Sequence, residues 1–395
     1  MKSKKSTGVL KIGIVCYPSV GGSGIVATNL GLELAKLGHQ VHFISYEQPF
    51  RLTKKTKNVF FHKVNINEYN LFKYPDYTLP LAVKIEEVQK KFILDVVHVH
   101  YAVPHATAAL LARRIMRSNG TPLPQIVTTL HGTDITLLAR DKNVLDVIKY
   151  SIERSHGVTA VSDSLKKDTI KFLKTDKPIE VIYNFYTPPP VTIDREKIRK
   201  SLGISNNDFV AIHLSNLRPV KRIPDLLKIT SKISTRDGSA SGGKSPNFKL
   251  LILAGGDFST FEPLVKNLKL EKKIIVKSNV QDIGNYINAA DLGIYPSETE
   301  SFGMAMLETM SYGKPVLATR AGGVPEVVDN GKTGFLFKVG DVAGFVEKTD
   351  MLISNPKIRE EMGALAKKIS CERFCVHKVV PEYVEYYKKI ISQKK

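Results

Sequence analysis

The chain has 395 residues, more than one hydrophobic core comfortably serves, so two domains are expected. Hydrophobic residues make up 43% and charged residues 24%, and no apolar run approaches the roughly 20 residues that cross a bilayer, which argues against a membrane span. The net charge of +20 is spread through both halves without zinc-finger spacing or an aromatic-rich RNA-binding signature, so it reads as a solvated basic surface rather than a nucleic-acid interface. That surface is compatible with a phosphate-bearing small molecule, or with weak contact to an acidic membrane surface. Three cysteines, Cys16, Cys371 and Cys375, give no disulfide framework. The basic N-terminus leads straight into folded-looking sequence rather than a signal-peptide layout, and a cytoplasmic protein is expected. Cys371 and Cys375 stand one helical turn apart with no second pair, which favours helix packing over a metal site. No metal and no cofactor are expected, and self-association is left open.

In chain order, "VLKIGIVCYP" (9–18) reads as a strand, "SVGGSG" (19–24) as a turn, "IVATNLGLELAKLGH" (25–39) as an amphipathic helix and "QVHFISY" (40–46) as a second strand. A strand-helix-strand unit with a glycine-rich first turn predicts a parallel α/β sheet. Further strands are expected at 96–101, 125–132, 157–162 and 179–184. Then "FYTPPPVTIDREK" (185–197) places three prolines in a row, which prevents regular helix and makes 186–200 the linker. The pattern restarts with strands at 209–215, 248–256, 273–278, 292–297, 315–320 and 334–338. The tract "STRDGSASGGKSPN" (234–247) reads as a surface insertion. The expected domains are 1–185, 201–372 and a C-terminal helix at 373–395 that packs back on the first domain despite Pro381. Two such sheets would place a ligand crevice at their strand ends.

The chemistry concentrates in a few loops. "LGIYPSETESFG" (292–303) passes from strand to helix, where free N–H groups at Ser301, Phe302 and Gly303 form an anion seat. Glu308, expected about two turns inside that helix, can accept from a ribose diol, and Glu300 from a hexose across a diphosphate. Alone, both acids are equally ordinary charges near a helix start. "SNLRPVKR" (215–222) adds Arg218, Lys221 and Arg222 at a strand's carboxyl end, where cations could neutralise a diphosphate leaving group. "GGSG" (21–24) could let a phosphate or carboxylate approach, and is otherwise a plain strand-helix turn.

These windows resemble the retaining glycosyltransferases of the GT-B class, family 4, whose hallmark is Glu, seven residues, Glu, here "ESFGMAMLE" from Glu300 to Glu308. "LAGGD" (253–257), "SNV" (278–280), "SFG" (301–303) and "AGGVPEVV" (321–328) agree in order and context. One departure is Asn216, where the family usually carries an arginine, so Arg218 would supply the guanidinium. The resemblance implies two Rossmann-like domains facing a central cleft. It also implies a donor site of Gly22, Gly256, Asn279, Val280, Glu300, Ser301, Phe302, Gly303 and Glu308, with His131, Arg218, Lys221 and Glu300 in catalysis.

In the first domain "CYPSVGGSG", "PFRL", "HVHYAVPHA", "TTLHGTDIT", "TAVS" and "YNF" resemble the branch of that family that joins N-acetylglucosamine to malate for bacillithiol synthesis. This implies UDP-N-acetylglucosamine as donor and L-malate as acceptor, held by Ser23, Tyr101, Thr129, His131 and Asn184, with Asp134 orienting its neighbours. Other readings are a family 4 transferase with a lipid or polysaccharide acceptor, a GT-B sugar-nucleotide epimerase or hydrolase, and a basic nucleic-acid-binding protein, whose affinity would fall steeply with salt.

Overall fold

The computed structural model describes residues 8–18, 22–49, 52, 56–66, 76–136, 142–234, 247–280 and 282–393. Apart from its two end residues, the insertion expected at 234–247 lies outside them. The chain divides into two compact units, residues 1–185 with 376–395 and residues 186–375.

In the first unit β1 (Lys11–Val15), β2 (Gln40–Ser45), β3 (Val59–Lys63), β4 (Val96–His100), β5 (Gln125–Leu130), β6 (Gly157–Ala160) and β7 (Glu180–Val181) form a parallel sheet. Its order is β3-β2-β1-β4-β5-β6-β7. A parallel sheet is covered on both faces. Here one face packs on the helices Gly22–Lys36 and Val376–Ser392 through Ile12, Ile14, Phe43, Leu30 and Tyr383. The other packs on Thr78–Phe92 and Thr107–Ser118 through Val97, Val99, Ile85 and Ala112.

Several boundaries depart from the sequence reading. β3 was not expected at all: it is an edge strand, half-buried or exposed throughout, so "VFFHK" lacks the apolar alternation of a strand with one buried face. The run 179–184 yields a two-residue strand. The first helix begins at Gly22 rather than residue 25, taking Gly22, Ser23 and Gly24 into its first turn, where N–H groups have no intrahelical partner in any case.

In the second unit β8 (Phe209–Ser215), β9 (Phe248–Ala254), β10 (Ile274–Ser278), β11 (Leu292–Tyr295), β12 (Val316–Thr319) and β13 (Gly334–Phe337) form another parallel sheet, ordered β10-β9-β8-β11-β12-β13. Its core gathers Ala211, Ile252, Leu227, Ile294, Leu317 and Phe345. The span 186–200 expected as linker is not irregular to its end, because the helix Arg195–Ser201 begins within it, capped by Asp194, which accepts from Glu196 N at 2.8 Å. Upstream, Thr192 N donates to Asn285 Oδ1 at 2.9 Å and Tyr312 OH to the Pro189 carbonyl at 2.8 Å, so this stretch is fastened to the second unit.

In each sheet the strand order reverses beside the first strand, between β1 and β4 and between β8 and β11. Loops leaving the carboxyl ends there part to opposite sides, the place where open α/β sheets take ligands. Among the described residues no helix is long and apolar enough to cross a membrane.

The helix Val376–Ser392 lies hard against β6. A Cβ on Gly157 would stand 2.8 Å from Tyr386 OH and 3.0 Å from Ile390 Cγ1, and Tyr386 OH donates to the Val158 carbonyl at 3.1 Å. Gly157→Val should therefore push this helix off the sheet and cost about 1–3 kcal/mol, the range for overpacking. Chemical denaturation of the variant checks this, with an unchanged midpoint counting against the packing described.

Candidate functional site

In the second unit the predicted residues collect on the loops after β8, β9, β10 and β11. β8 ends at Ser215, whose hydroxyl is held by buried His213: the ring donates from Nδ1 to the Ile294 carbonyl at 2.7 Å, leaving Nε2 to accept from Ser215 Oγ at 2.9 Å. Burial holds this imidazole down at about 4, hence neutral. The chain then turns through Leu217, at φ 54°, into the short helical turn Pro219–Lys221. Arg218 is exposed at its start. Arg222, by contrast, is engaged by Asp225 at 2.7 Å and is no free cation.

Lys221 Nζ meets Glu300 Oε1 at 2.6 Å, across 79 positions of sequence. Both side chains are mostly buried, 15% and 13% exposed, so this pair is screened far less than a surface salt bridge. Ser297 Oγ donates to the same oxygen at 2.9 Å. Among the described residues nothing binds Glu300 Oε2. The backbone here is equally constrained. Gly322 has φ 53°, and a Cβ on it would lie 2.0 Å from the Glu300 carbonyl oxygen, which itself accepts from Gly323 N at 3.0 Å. Only glycine fits at this position.

After Glu300, Gly303 takes φ 107° and caps the helix Met304–Ser311. Phe302 is buried against Phe374, ring centroids 5.5 Å apart and edge-on, so its side chain is an anchor, which leaves only its backbone amide for the anion seat expected there. Glu308 is the fifth residue of this helix, a little over one turn in rather than two, since five residues at 3.6 per turn fall short of a second turn. Gly256 (φ 145°) and Asn279 (φ 55°) are exposed just past the ends of β9 and β10, and Asn279 N donates to the Ala254 carbonyl at 3.1 Å. Val280, beside Asn279, is half-buried.

The first unit brings together a different set, at the reversal between β1 and β4. Gly22 and Ser23 open the first helix, and Ser23 Oγ lies 2.7 Å from Tyr101 OH. Tyr101 is held at φ 89° by its amide, which donates to the Thr129 carbonyl at 3.0 Å, and its ring centroid lies 5.3 Å from that of His131. Positive φ at a tyrosine is strained and is sustained by its surroundings. Asp134 supplies part of that support, accepting from Ala102 N at 3.3 Å and Gly132 N at 3.0 Å; burial raises its carboxyl to about 6 against the pull of those amides.

Two predicted acceptor residues are placed otherwise. Thr129 is wholly buried, its hydroxyl bound to His98 Nε2 at 2.6 Å and Thr159 Oγ1 at 2.6 Å, so it supports the sheet's interior instead of facing a ligand. Asn184 is buried beyond β7, and among the described residues its Oδ1 has no partner. The sequence reading also missed residues. His98 and His100 alternate with Val97 and Val99 on β4, and His100 Nδ1 lies 2.8 Å from His131 Nε2. The signal was the period of two in "VVHVHY", which puts both histidines on one face. Burial lowers His98 and His131 to about 3 and His105 to about 4, and depresses His100 strongly, so the cluster is uncharged at neutral pH.

With this geometry in view, residues 20–188 match Glycosyltransferase Family 4 and residues 194–369 match Glycosyl transferases group 1. The chain is 41% identical over 388 residues to N-acetyl-alpha-D-glucosaminyl L-malate synthase of Bacillus anthracis, covering 98% of each. In fold it is similar to a glycosyltransferase from Rickettsia africae, with TM-score 0.79, 24% identity and coverage of 98% of this chain and 100% of that one. It is likewise similar to Anabaena HepE in complex with UDP-glucose, with TM-score 0.78, 20% identity and coverage of 96% and 100%.

Since Gly322 sets the backbone of Glu300, Gly322→Ala should displace that loop. The expected result is at least about tenfold loss of turnover, from a misplacement remote from the reacting atoms, with the second unit still folded. Steady-state kinetics beside a thermal melt checks it; wild-type turnover in the variant would contradict the placement of Glu300.

Proposed function

Since the chain belongs to the group 1, family 4 glycosyltransferases, we propose that it transfers N-acetylglucosamine from UDP-N-acetylglucosamine to the hydroxyl of L-malate, with retention at the anomeric carbon. The observation that carries this reading is the meeting of Lys221 and Glu300 beside exposed Arg218, in a chain alike from end to end with the Bacillus anthracis synthase.

The second unit would hold the donor. Arg218, Lys221 and the amides of Ser301, Phe302 and Gly303 gather positive charge where a diphosphate develops negative charge on leaving. Glu300 Oε2 and Glu308 would take sugar hydroxyls on either side, and Gly256, Asn279 and Val280 would line the nucleotide. The first unit would hold the acceptor through neutral donors, Ser23, Tyr101 and His131.

In the reaction the acceptor oxygen forms a bond to the anomeric carbon on the face that the leaving group vacates. The bond from that carbon to the UDP oxygen breaks, and the acceptor's proton passes to the departing phosphate. The charge assembled around Lys221 is suited to stabilise that leaving group without a divalent ion. The malate conjugate would then supply a later reaction in thiol synthesis, as the resemblance to the bacillithiol branch implies.

Mass spectrometry of products from UDP-N-acetylglucosamine and a panel of hydroxy acids tests the proposal. The expected result is UDP plus an N-acetylglucosaminyl conjugate of L-malate, formed equally in the presence of a chelator. UDP released without any conjugate would favour a hydrolase or epimerase, and inertness toward hydroxy acids would favour a lipid or polysaccharide acceptor. Loss of turnover on chelation would overturn the metal-free part.

A further inference from the structure

His131 is half-buried at the end of β5 and turns Nε2 inward, 2.8 Å from Nδ1 of His100. The described residues supply no partner to its other nitrogen, Nδ1, which is therefore the one left for a ligand. His100 is fully buried, its ring between His98, with centroids 4.4 Å apart, and His131, at 5.1 Å. His98 is tied on both sides, Nδ1 to Tyr387 OH at 2.7 Å and Nε2 to Thr129 Oγ1 at 2.6 Å. The main-chain carbonyl of His100 accepts from His105 Nδ1. The ring of His100 thus has little freedom to turn.

A hydrogen bond between two neutral imidazoles carries one proton, and the pair admits two arrangements. If His131 donates from Nε2, then His100 keeps its own proton on Nε2, and that atom is buried without a partner among the described residues. If His100 donates from Nδ1, its Nε2 is a bare lone pair instead. An orphaned buried N–H is rarer than an under-used acceptor, which selects the second arrangement. We infer that His100 is a positioning residue that donates from Nδ1 to His131 Nε2, and so holds His131 with its proton on Nδ1 as a hydrogen-bond donor toward a ligand oxygen. His131 then binds an oxygen lone pair of sugar or acceptor and does not serve as a base. The identity of that ligand rests on the transfer reading; the tautomer does not.

Long-range proton–nitrogen spectra of the full 15N-labelled chain at neutral pH test this, with His131 assigned by its loss in His131→Gln. The expected spectrum has Nδ1 protonated and Nε2 bare. His100→Leu should release that preference, whereas His100→Asn, whose amide can donate from nearly the same place, should keep it. In kinetics His100→Leu should lose about ten- to hundredfold in kcat, by analogy with the range for removing a partner that orients a metal-bound histidine. His100→Asn should recover most of it, with the donor KM within about twofold throughout. A wild-type His131 protonated on Nε2 would overturn the inference even if neither variant folds, and so would His100→Leu turning over at the wild-type rate. Were wild type to show the expected tautomer yet transfer no sugar, the transfer reading would fail and this one would stand.

Discussion

The contact between Lys221 and Glu300 is the constraint from which the second unit's site follows. Each charge is mostly withdrawn from water, and a buried charge is tolerable only when it is paired and hydrogen-bonded. The pairing obliges the loop after β8 and the loop after β11 to meet, which adjacent parallel strands allow because both loops leave the same edge. The meeting is then locked from several sides. His213 and Ser215 set the exit from β8, Ser297 shares the carboxylate oxygen, and the missing side chain at Gly322 lets a third loop reach the Glu300 carbonyl. Among the described residues, Oε2 of Glu300 and the guanidinium of Arg218 are left without a protein partner.

The first unit works by the opposite means. Its candidate site is built from imidazoles that burial keeps uncharged, phenols, and hydroxyls that bond one another. Such groups recognise by the direction of a donor or lone pair rather than by field strength, so the placement of each proton matters more than net charge. This accounts for the depth of the network behind His131: β4, β5 and the C-terminal helix all contribute to it, through His98, Thr129 and Tyr387.

Much of the architecture was legible from the residues, because buried parallel strands read as short apolar runs and the glycine and proline signals punctuate them. Strands β8 to β13 stand where the runs predicted, within a residue or two. β3 was invisible because this short edge strand shows only Val59 and Phe61 to the core, and Phe60 between them is apolar too, which breaks the alternation. Chain-local reasoning also placed Glu308 too deep in a helix whose start it had right, and ended the linker too late, since the Asp194 cap decides that boundary. At the candidate site, spacing singled out loops but could not say which way their side chains face. Thr129 and His131 sit two apart, and yet the hydroxyl turns into the core while the imidazole reaches the edge. Period-two logic puts both on one face and says nothing about depth along the strand.

Calorimetric titration of UDP into wild type and Lys221→Met tests the central claim most directly, because it asks whether a nucleotide diphosphate is bound where the two loops meet. One charge-assisted hydrogen bond contributes about 1.5–3 kcal/mol, so the variant should bind UDP roughly ten- to a hundredfold more weakly. Equal affinity in the two proteins would mean that the diphosphate is held elsewhere and that the Lys221–Glu300 pair serves the fold alone.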